Sequence, residues 1–299
     1  MIKYSIIIPH YNMPELLERL LKSIPERKDM QVVVVDDQSP RSEDYVAKYD
    51  FLKRKDVSFI CSDKKGWAGH ARNIGVKEAT GEWLLFADSD DFFVEGFDKM
   101  LDRHCSDDVD VVYFNVRSVL SNDVTKEADR NVGRDNLFKQ YAQTHDEGLF
   151  RYRYPEPWGK MVRRSFVMKN QIRFDETKVC NDYYFSMQIG CMARNISVVD
   201  EPLYVLTLRE GSVSYDFADT LEKLLIRIDV ATRVQLLLKK YHVKLVPMPL
   251  RGLMVILLKK SKSLFVKELF TLGKAGIPLF LLLCQMFNPR YMERKNAGR

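Results

Sequence analysis

The sequence predicts an α/β fold built on a parallel, mostly doubly wound sheet, followed by a basic helical extension. Three observations carry this. Short apolar runs alternate with amphipathic stretches four times over roughly the first ninety residues, which is the pattern of successive βα units. Two of those runs, Val32-Val33-Val34-Val35 and Trp83-Leu84-Leu85-Phe86-Ala87, are apolar on both faces and stop at carboxylates. Such strands are buried and parallel, and their C-terminal ends form the edge where open α/β sheets take their ligands. Third, residues 251–299 hold ten Lys/Arg against two Glu, a charge of +8, while the whole chain of 299 residues carries +6.

Taken in order, Ile6-Ile7-Ile8-Pro9 is a strand, and His10-Tyr11-Asn12 is turn chemistry before Pro14, which opens a helix carrying Leu16, Leu17, Leu20, Leu21 and Ile24. The strand Val32–Val35 ends in Asp36-Asp37-Gln38-Ser39-Pro40. One carboxylate there is cheap as a turn or cap, but two that share an edge with Asp88 and Asp90 point to a ligand. A helix around Glu43 to Leu52 and a strand around Val57 to Cys61 follow. In Gly66-Trp67-Ala68-Gly69-His70-Ala71-Arg72-Asn73-Ile74-Gly75 the glycines around a helix start allow close backbone approach, and Arg72 either reaches a phosphate or pairs with a neighbouring Asp. Thr80-Gly81 ends that helix, and the next strand delivers Asp88, Asp90 and Asp91. Three carboxylates in four positions call for a counter-charge, and a divalent cation supplies it. No G-x-G-x-x-G follows the first strand and no G-x-x-x-x-G-K-[ST] occurs, so neither a dinucleotide nor a P-loop NTPase reading has support.

Beyond Phe93 the pattern predicts a helix around Gly96 to Cys105, a strand over 109–116 and a hairpin or loop over 121–136. Asp108-Val109-Asp110 precedes a strand instead of ending one, so it reads as a solvated turn. Residues 149–165 mix aromatics with Arg/Lys, and Pro155 and Pro157 argue against a helix. That composition suits a sugar-stacking surface, with Trp158 either an acceptor platform or a structural aromatic. Asn181 is placed as a helix N-cap with Asp182 in the first turn.

Amphipathic helices are expected over 219–240 and 253–270, and 277–287 is an apolar run of eleven residues, short of the roughly twenty needed to span a bilayer. This basic tail fits either an anionic membrane interface or a helical subdomain packed on the core. No nucleic-acid motif accompanies the charge. The five cysteines are scattered and form no C-x-x-C, and Met1 leads straight into a strand with no cleavage pattern. A reducing cytoplasmic location is expected.

The residues Ser5-Ile6-Ile7-Ile8-Pro9-x-Tyr11-Asn12, Val34-Val35-Asp36-Asp37-Gln38-Ser39, Ala71-Arg72-Asn73-x-Gly75, Ala79-x-Gly81-Glu82 and Phe86-x-Asp88-x-Asp90-Asp91 resemble, in order and spacing, the family 2 glycosyltransferases of the GT-A fold. Trp158-Gly159-Lys160, Phe174-Asp175-Glu176, Asn181-Asp182 and Arg209-Glu210-Gly211-Ser212-Val213-Ser214 extend the likeness, a set similar to bacterial capsule and lipopolysaccharide sugar transferases. The resemblance implies a GT-A catalytic domain over 1–216, with a nucleotide-sugar half over 1–116 and an acceptor half over 117–216, and a helical extension over 217–299. It implies that Pro9, Tyr11 and Asp37 contact the donor's nucleotide, that Asp88 meets its ribose or metal-bound pyrophosphate, and that Asp90 with Asp88 holds Mn²⁺ or Mg²⁺. Arg72 would assist at the diphosphate, and Asp182 occupies the place of the catalytic base. The usual acidic pair there is Glu-Asp, and this chain has Asn181-Asp182 instead. No Q-x-x-R-W follows, so the processive polymer-synthase branch is not supported.

The expected reaction is an inverting, metal-dependent transfer of one sugar, from UDP in the first instance, to a surface polysaccharide or lipid-linked glycan at the inner face of the cell membrane. The metal would stabilise the leaving diphosphate, and a carboxylate would take the acceptor hydroxyl's proton. Two rival readings stand beside it. One is a nucleotidyltransferase on a related sheet, and the other is a non-catalytic nucleotide-sugar-binding subunit.

Overall fold

The computed structural model describes residues 1–106, 108–209, 220–243 and 250–286, in two compact units, Met1–Asp216 and Phe217–Arg299. The elements of the first unit are β1 (Tyr4–His10), α1 (Pro14–Lys22), β2 (Met30–Asp36), α2 (Tyr45–Lys48), β3 (Val57–Cys61), α3 (Trp67–Glu78), β4 (Trp83–Phe86), β5 (Phe92–Phe93), α4 (Phe97–His104), β6 (Val111–Leu120), β7 (Asp123–Glu127), α5 (Val132–Thr144), α6 (Gly148–Arg153), β8 (Lys160–Arg163), α7 (Arg164–Lys169), α8 (Tyr183–Met192) and β9 (Ile196–Leu208). The strands form one sheet in the order β3-β2-β1-β4-β8-β6-β9-β5, with β7 paired to β6.

The sheet is mixed. Strands β3, β2, β1 and β4 run parallel, as the βα repeat requires. Then β8 lies antiparallel between β4 and β6, β9 runs parallel to β6, and β5 turns back against β9. Every residue of β1 and β4 is buried, because helices and loops cover both faces of a central parallel strand. Ile7 faces Val33 on one side and Phe86 on the other, and His10 faces Asp36. That register brings residues 10–12, 36–39 and 87–91 out at one edge.

Two local expectations are corrected. In place of a helix over Glu43 to Leu52, the chain forms 3₁₀ turns at Ser42–Asp44 and Asp50–Lys53 around the single turn α2, with Tyr49 extended. Tyr45 and Leu52 both enter the core, and a segment this short buries both by turning. The second correction concerns residues 149–165. Helix α6 forms over Gly148–Arg153 despite the prolines, since Pro155 bars the helical region only to the residue before it. Three of the four aromatics there are interior, with Tyr152 half-buried: Phe150 packs on Tyr113, Phe138 and Tyr141, and Tyr154 and Trp158 are buried with it.

The second unit contains α9 (Leu221–Lys240), α10 (Leu250–Lys260), α11 (Lys262–Lys274) and α12 (Leu279–Met286). Leu224, Ile228, Met254, Leu257, Phe265, Leu272 and Leu282 share its core. The run over 253–270 is two helices, divided at Ser261, whose hydroxyl accepts the Leu264 N–H and caps α11. No described helix is long and apolar enough to cross a membrane. Of the stretch Arg209-Glu210-Gly211-Ser212-Val213-Ser214, residues 210–214 lie outside the described residues.

Candidate functional site

The loop after β4 is tied down by backbone chemistry before any ligand is considered. The Asp88 N–H donates to the Tyr204 hydroxyl at 2.8 Å, and the Asp91 N–H closes a turn onto the Asp88 carbonyl at 3.0 Å. The Asp91 carboxylate is fully buried and accepts the Thr207 N–H at 2.7 Å, while the Thr207 hydroxyl donates to the Asp90 carbonyl at 2.6 Å. Asp91 is thus a strut between β4 and β9, which leaves Asp88 and Asp90 to face outward. Burial, then the charges of Asp90 and Asp88, push the Asp91 carboxyl well above the ordinary range. Asp90 is raised by burial and then by Asp88, and the Arg209 Nε lies 3.6 Å from its Oδ2.

Arg72 comes to this loop from α3. Its guanidinium is buried and donates to Asp88 Oδ1 at 2.6 Å and to Asn181 Oδ1 at 2.7 Å, with its charge 5.3 Å from the centre of the Phe174 ring. Of its two expected roles, pairing with an Asp is the one the structure shows. The glycines of α3 likewise serve the protein's own packing. A methyl at Gly69 would overlap the Asp175 carbonyl oxygen, and one at Gly75 would run into Ile7. The close backbone approach seen at both is to the chain itself.

Asp182 reaches the same place from the far end of the unit. Phe86 at the end of β4 packs on Phe174 and on Phe185 of α8, with ring centres 5.0 and 5.4 Å away, and Phe174 stacks on Phe185 at 3.7 Å. This cluster sets the start of α8 beside the β4 loop. The N-cap of α8 is Asp182, one residue later than expected, because the Asn181 side chain is taken up by Arg72. Burial lifts the Asp182 carboxyl above its ordinary value, and Arg72 opposes the lift. Next to α8, the buried Lys160 donates to the Tyr154 carbonyl and to Ser186, one turn after Asp182.

On the other side of the edge, His10 Nδ1 pairs with Asp36 at 2.7 Å, and Asp36 accepts both the N–H and the hydroxyl of Ser39. Burial alone would raise the Asp36 carboxyl, but His10 and Ser39 together hold it below the ordinary range. Asp36 therefore fastens the two loops. Asp37 is buried too, and accepts the N–H groups of Gly66 and Trp67 at 2.7 and 2.9 Å. Pro9 is buried in β1, while Tyr11 stands exposed just past its end. Trp158 stacks on Tyr204 and lies 5.6 Å from the Arg134 guanidinium. At 5% exposure it is buried, which, of its two expected readings as acceptor platform or structural aromatic, fits the second.

Sequence reasoning missed Tyr204, Thr207 and Arg209 as partners of the β4 loop. They enter through the pairing of β9 with β5; Arg209 opens a motif that the likeness singled out without a role, and no local pattern announces Tyr204 or Thr207. Among the described residues no three His, Cys, Asp or Glu side chains are grouped to hold a metal by themselves. Asp88 and Asp90 still suit a hard divalent cation, because they are oxygen donors whose mutual repulsion such an ion relieves, with further ligands coming from a bound phosphate and water.

A family model described as glycosyl transferase family 2 matches residues 5–171. A cholesterol galactosyltransferase from Borreliella burgdorferi is 29% identical over 274 residues, covering 81% of this chain and 73% of that protein. The poly(ribitol-phosphate) beta-N-acetylglucosaminyltransferase TarS of Staphylococcus aureus is 31% identical over 222 residues, covering 71% of this chain and 36% of TarS. The chain thus spans about a third of that relative. Among solved structures, S. aureus TarS 1-349 in complex with UDP-GlcNAc has a TM-score of 0.62 at 22% identity, over 88% of this chain and 74% of that one. The mannosyltransferase PcManGT from Pyrobaculum calidifontis, in complex with GDP-Man and Mn²⁺, has a TM-score of 0.53 at 17% identity, over 98% and 83%. At these identities the two structures show a shared fold.

Proposed function

The chain belongs to glycosyl transferase family 2, and on that premise we propose that it moves one sugar from a nucleoside diphosphate donor, UDP in the first instance, to a hydroxyl of a surface polysaccharide or lipid-linked glycan, with inversion. The observation that carries this is the Arg72 bridge, which joins Asp88 to Asn181 and so sets the β4 carboxylates beside Asp182. Residues 1–116 would hold the donor and 117–216 the acceptor. The donors carried by TarS and PcManGT in their structures support a nucleotide-sugar here.

Pro9, Tyr11 and Asp37 are assigned to the nucleotide, and Asp88 and Arg72 to its diphosphate end. Asp90 with Asp88 would hold Mn²⁺ or Mg²⁺, which when bound offsets the charge that develops on the leaving diphosphate. Asp182 is the base: a carboxyl lifted by burial is better matched to taking a proton from a hydroxyl near neutral pH than an ordinary one. The acceptor's setting is assigned to an anionic membrane face. In the second unit Val266 and Phe270 are exposed on α11, which also carries Lys262, Lys267 and Lys274, while Phe280 is 84% exposed on α12 and Lys259 and Lys260 end α10, a composition suited to an interface.

The test is thermal stability with UDP, GDP and CDP, each with and without Mn²⁺, in the natural chain and in Asp90→Ala. Saturation at a hundredfold over Kd adds about 2.7 kcal/mol. A metal-dependent rise with one diphosphate, lost in the variant, is expected. Folded protein that responds to none of them overturns the donor assignment.

A further inference from the structure

Trp67 holds a backbone conformation that its size makes costly. Its φ is 64°, in the left-handed region where the Cβ of an L residue crowds the following carbonyl oxygen and which glycine enters freely. A glycine stands one position earlier, yet the tryptophan takes the strained place. Asp37 secures it there by accepting the N–H groups of both residues. Core packing does not account for the strain, because Trp67 is 39% exposed whereas Trp83 and Trp158 are 1% and 5% exposed. Strain held at a site of this kind points to a use for the side chain.

The surroundings indicate the use. Tyr11, 40% exposed, stands in the loop after β1. The Lys65 ammonium lies 4.1 Å from the centre of the Tyr11 ring and 5.7 Å from that of Trp67, and Lys178 lies 5.3 Å from Trp67. Two exposed aromatic rings therefore share one cation, beside a second cation and the Asp37 carboxylate. A flat heteroaromatic ring joined to a diphosphate matches both features, since the base can stack on the rings and the phosphates can meet the lysines. We propose that Trp67, together with Tyr11, forms the stacking surface for the donor's nucleobase, the base taking the place that Lys65 holds over the rings. This rests on the reading of the chain as a user of nucleotide-sugars, and adds a binding residue to it.

UDP in the presence of Mg²⁺ is titrated into the natural chain, Trp67→Phe and Trp67→Gly, following calorimetric heat and tryptophan emission, and each protein is melted without ligand. UDP is expected to quench the emission of the natural chain, where Trp67 is the exposed tryptophan. Trp67→Gly should bind about 5- to 150-fold more weakly, the range that one stacking contact spans, and Trp67→Phe should fall between the two. Trp67→Gly should melt at or above the natural temperature, because glycine relieves the left-handed strain. Three results would overturn the proposal. Natural-chain binding with unchanged emission, and natural affinity in Trp67→Gly, would each remove Trp67 from the site and leave the donor reading intact. A Trp67→Gly protein that melts well below the natural chain would show the ring to be structural. If the natural chain bound none of UDP, GDP, CDP and ADP, the donor reading would fall as well.

Discussion

Replacing Gly69 with alanine adds one methyl group, and the structure allows no room for it. The new Cβ would overlap the Asp175 carbonyl oxygen, 2.9 Å from the carbonyl carbon and 3.0 Å from the Asn181 Cβ. Two of these three atoms are backbone and cannot rotate away. Carbon atoms make ordinary contact at about 3.5–4.0 Å, so α3 and the 175–181 segment must part by about 0.5–1 Å even by this measure. That is enough to stretch the 2.7 Å bond from Arg72 to Asn181 to the limit of hydrogen bonding, about 3.2 Å, or beyond it. Overpacking of this kind costs about 1–3 kcal/mol, which for a unit of this size lowers its melting temperature by about 2–12 °C. The control is the same change at Gly133, near the start of α5, where an added Cβ meets nothing within 4 Å. There alanine removes backbone freedom from the unfolded chain and should stabilise by about 0.5–1 kcal/mol. Calorimetric melting of both variants, with transferase turnover as a second readout, should give opposite signs in stability and a loss of turnover only for Gly69→Ala. A Gly69→Ala protein that melts and turns over like the natural chain would refute the close contact, and with it the account of how Arg72 is aimed.

Asp182→Asn should lower kcat by about 10²–10⁴, the range for removing a general base, while UDP affinity stays within about twofold; equal losses in both would place Asp182 in donor binding instead. The turnover of the natural chain should fall as pH drops through a value above the ordinary carboxylate pKa of about 4, because the Asp182 carboxyl is raised and the base must be ionised. Asp90→Asn should melt higher than the natural chain at neutral pH without metal. The sign follows from the raised Asp90 carboxyl: between its unfolded and folded pKa values the folded chain binds more protons, so stability is lost as pH rises through that window. The gap between variant and natural chain should close toward about pH 4, and a gap independent of pH would contradict the raised Asp90. Sedimentation with phosphatidylglycerol vesicles should pull down the natural chain, and Phe270→Ser with Phe280→Ser should weaken this at least about tenfold; equal binding to phosphatidylcholine would remove the lysines from the account.

The amino-acid order alone determined the parallel half of the sheet, since β-branched and aromatic runs, helix periodicity and turn residues act over neighbouring positions. It also determined which carboxylates stand at strand ends, because a strand's last residue is set by where its apolar run stops. Only the tertiary structure decided what those carboxylates do. Asp36 and Asp37 look alike in sequence, yet one is tied to His10 and Ser39 and the other to the start of α3. Arg72 meets a partner 109 positions away, and Asp91 meets Thr207 across 116. The aromatics over 150–158 read as a surface in sequence because composition does not distinguish a ring that stacks on a ligand from one that stacks on Tyr204. Burial separates the two, and burial is a property of everything else that packs around a residue, contributed here by strands and helices from both ends of the unit.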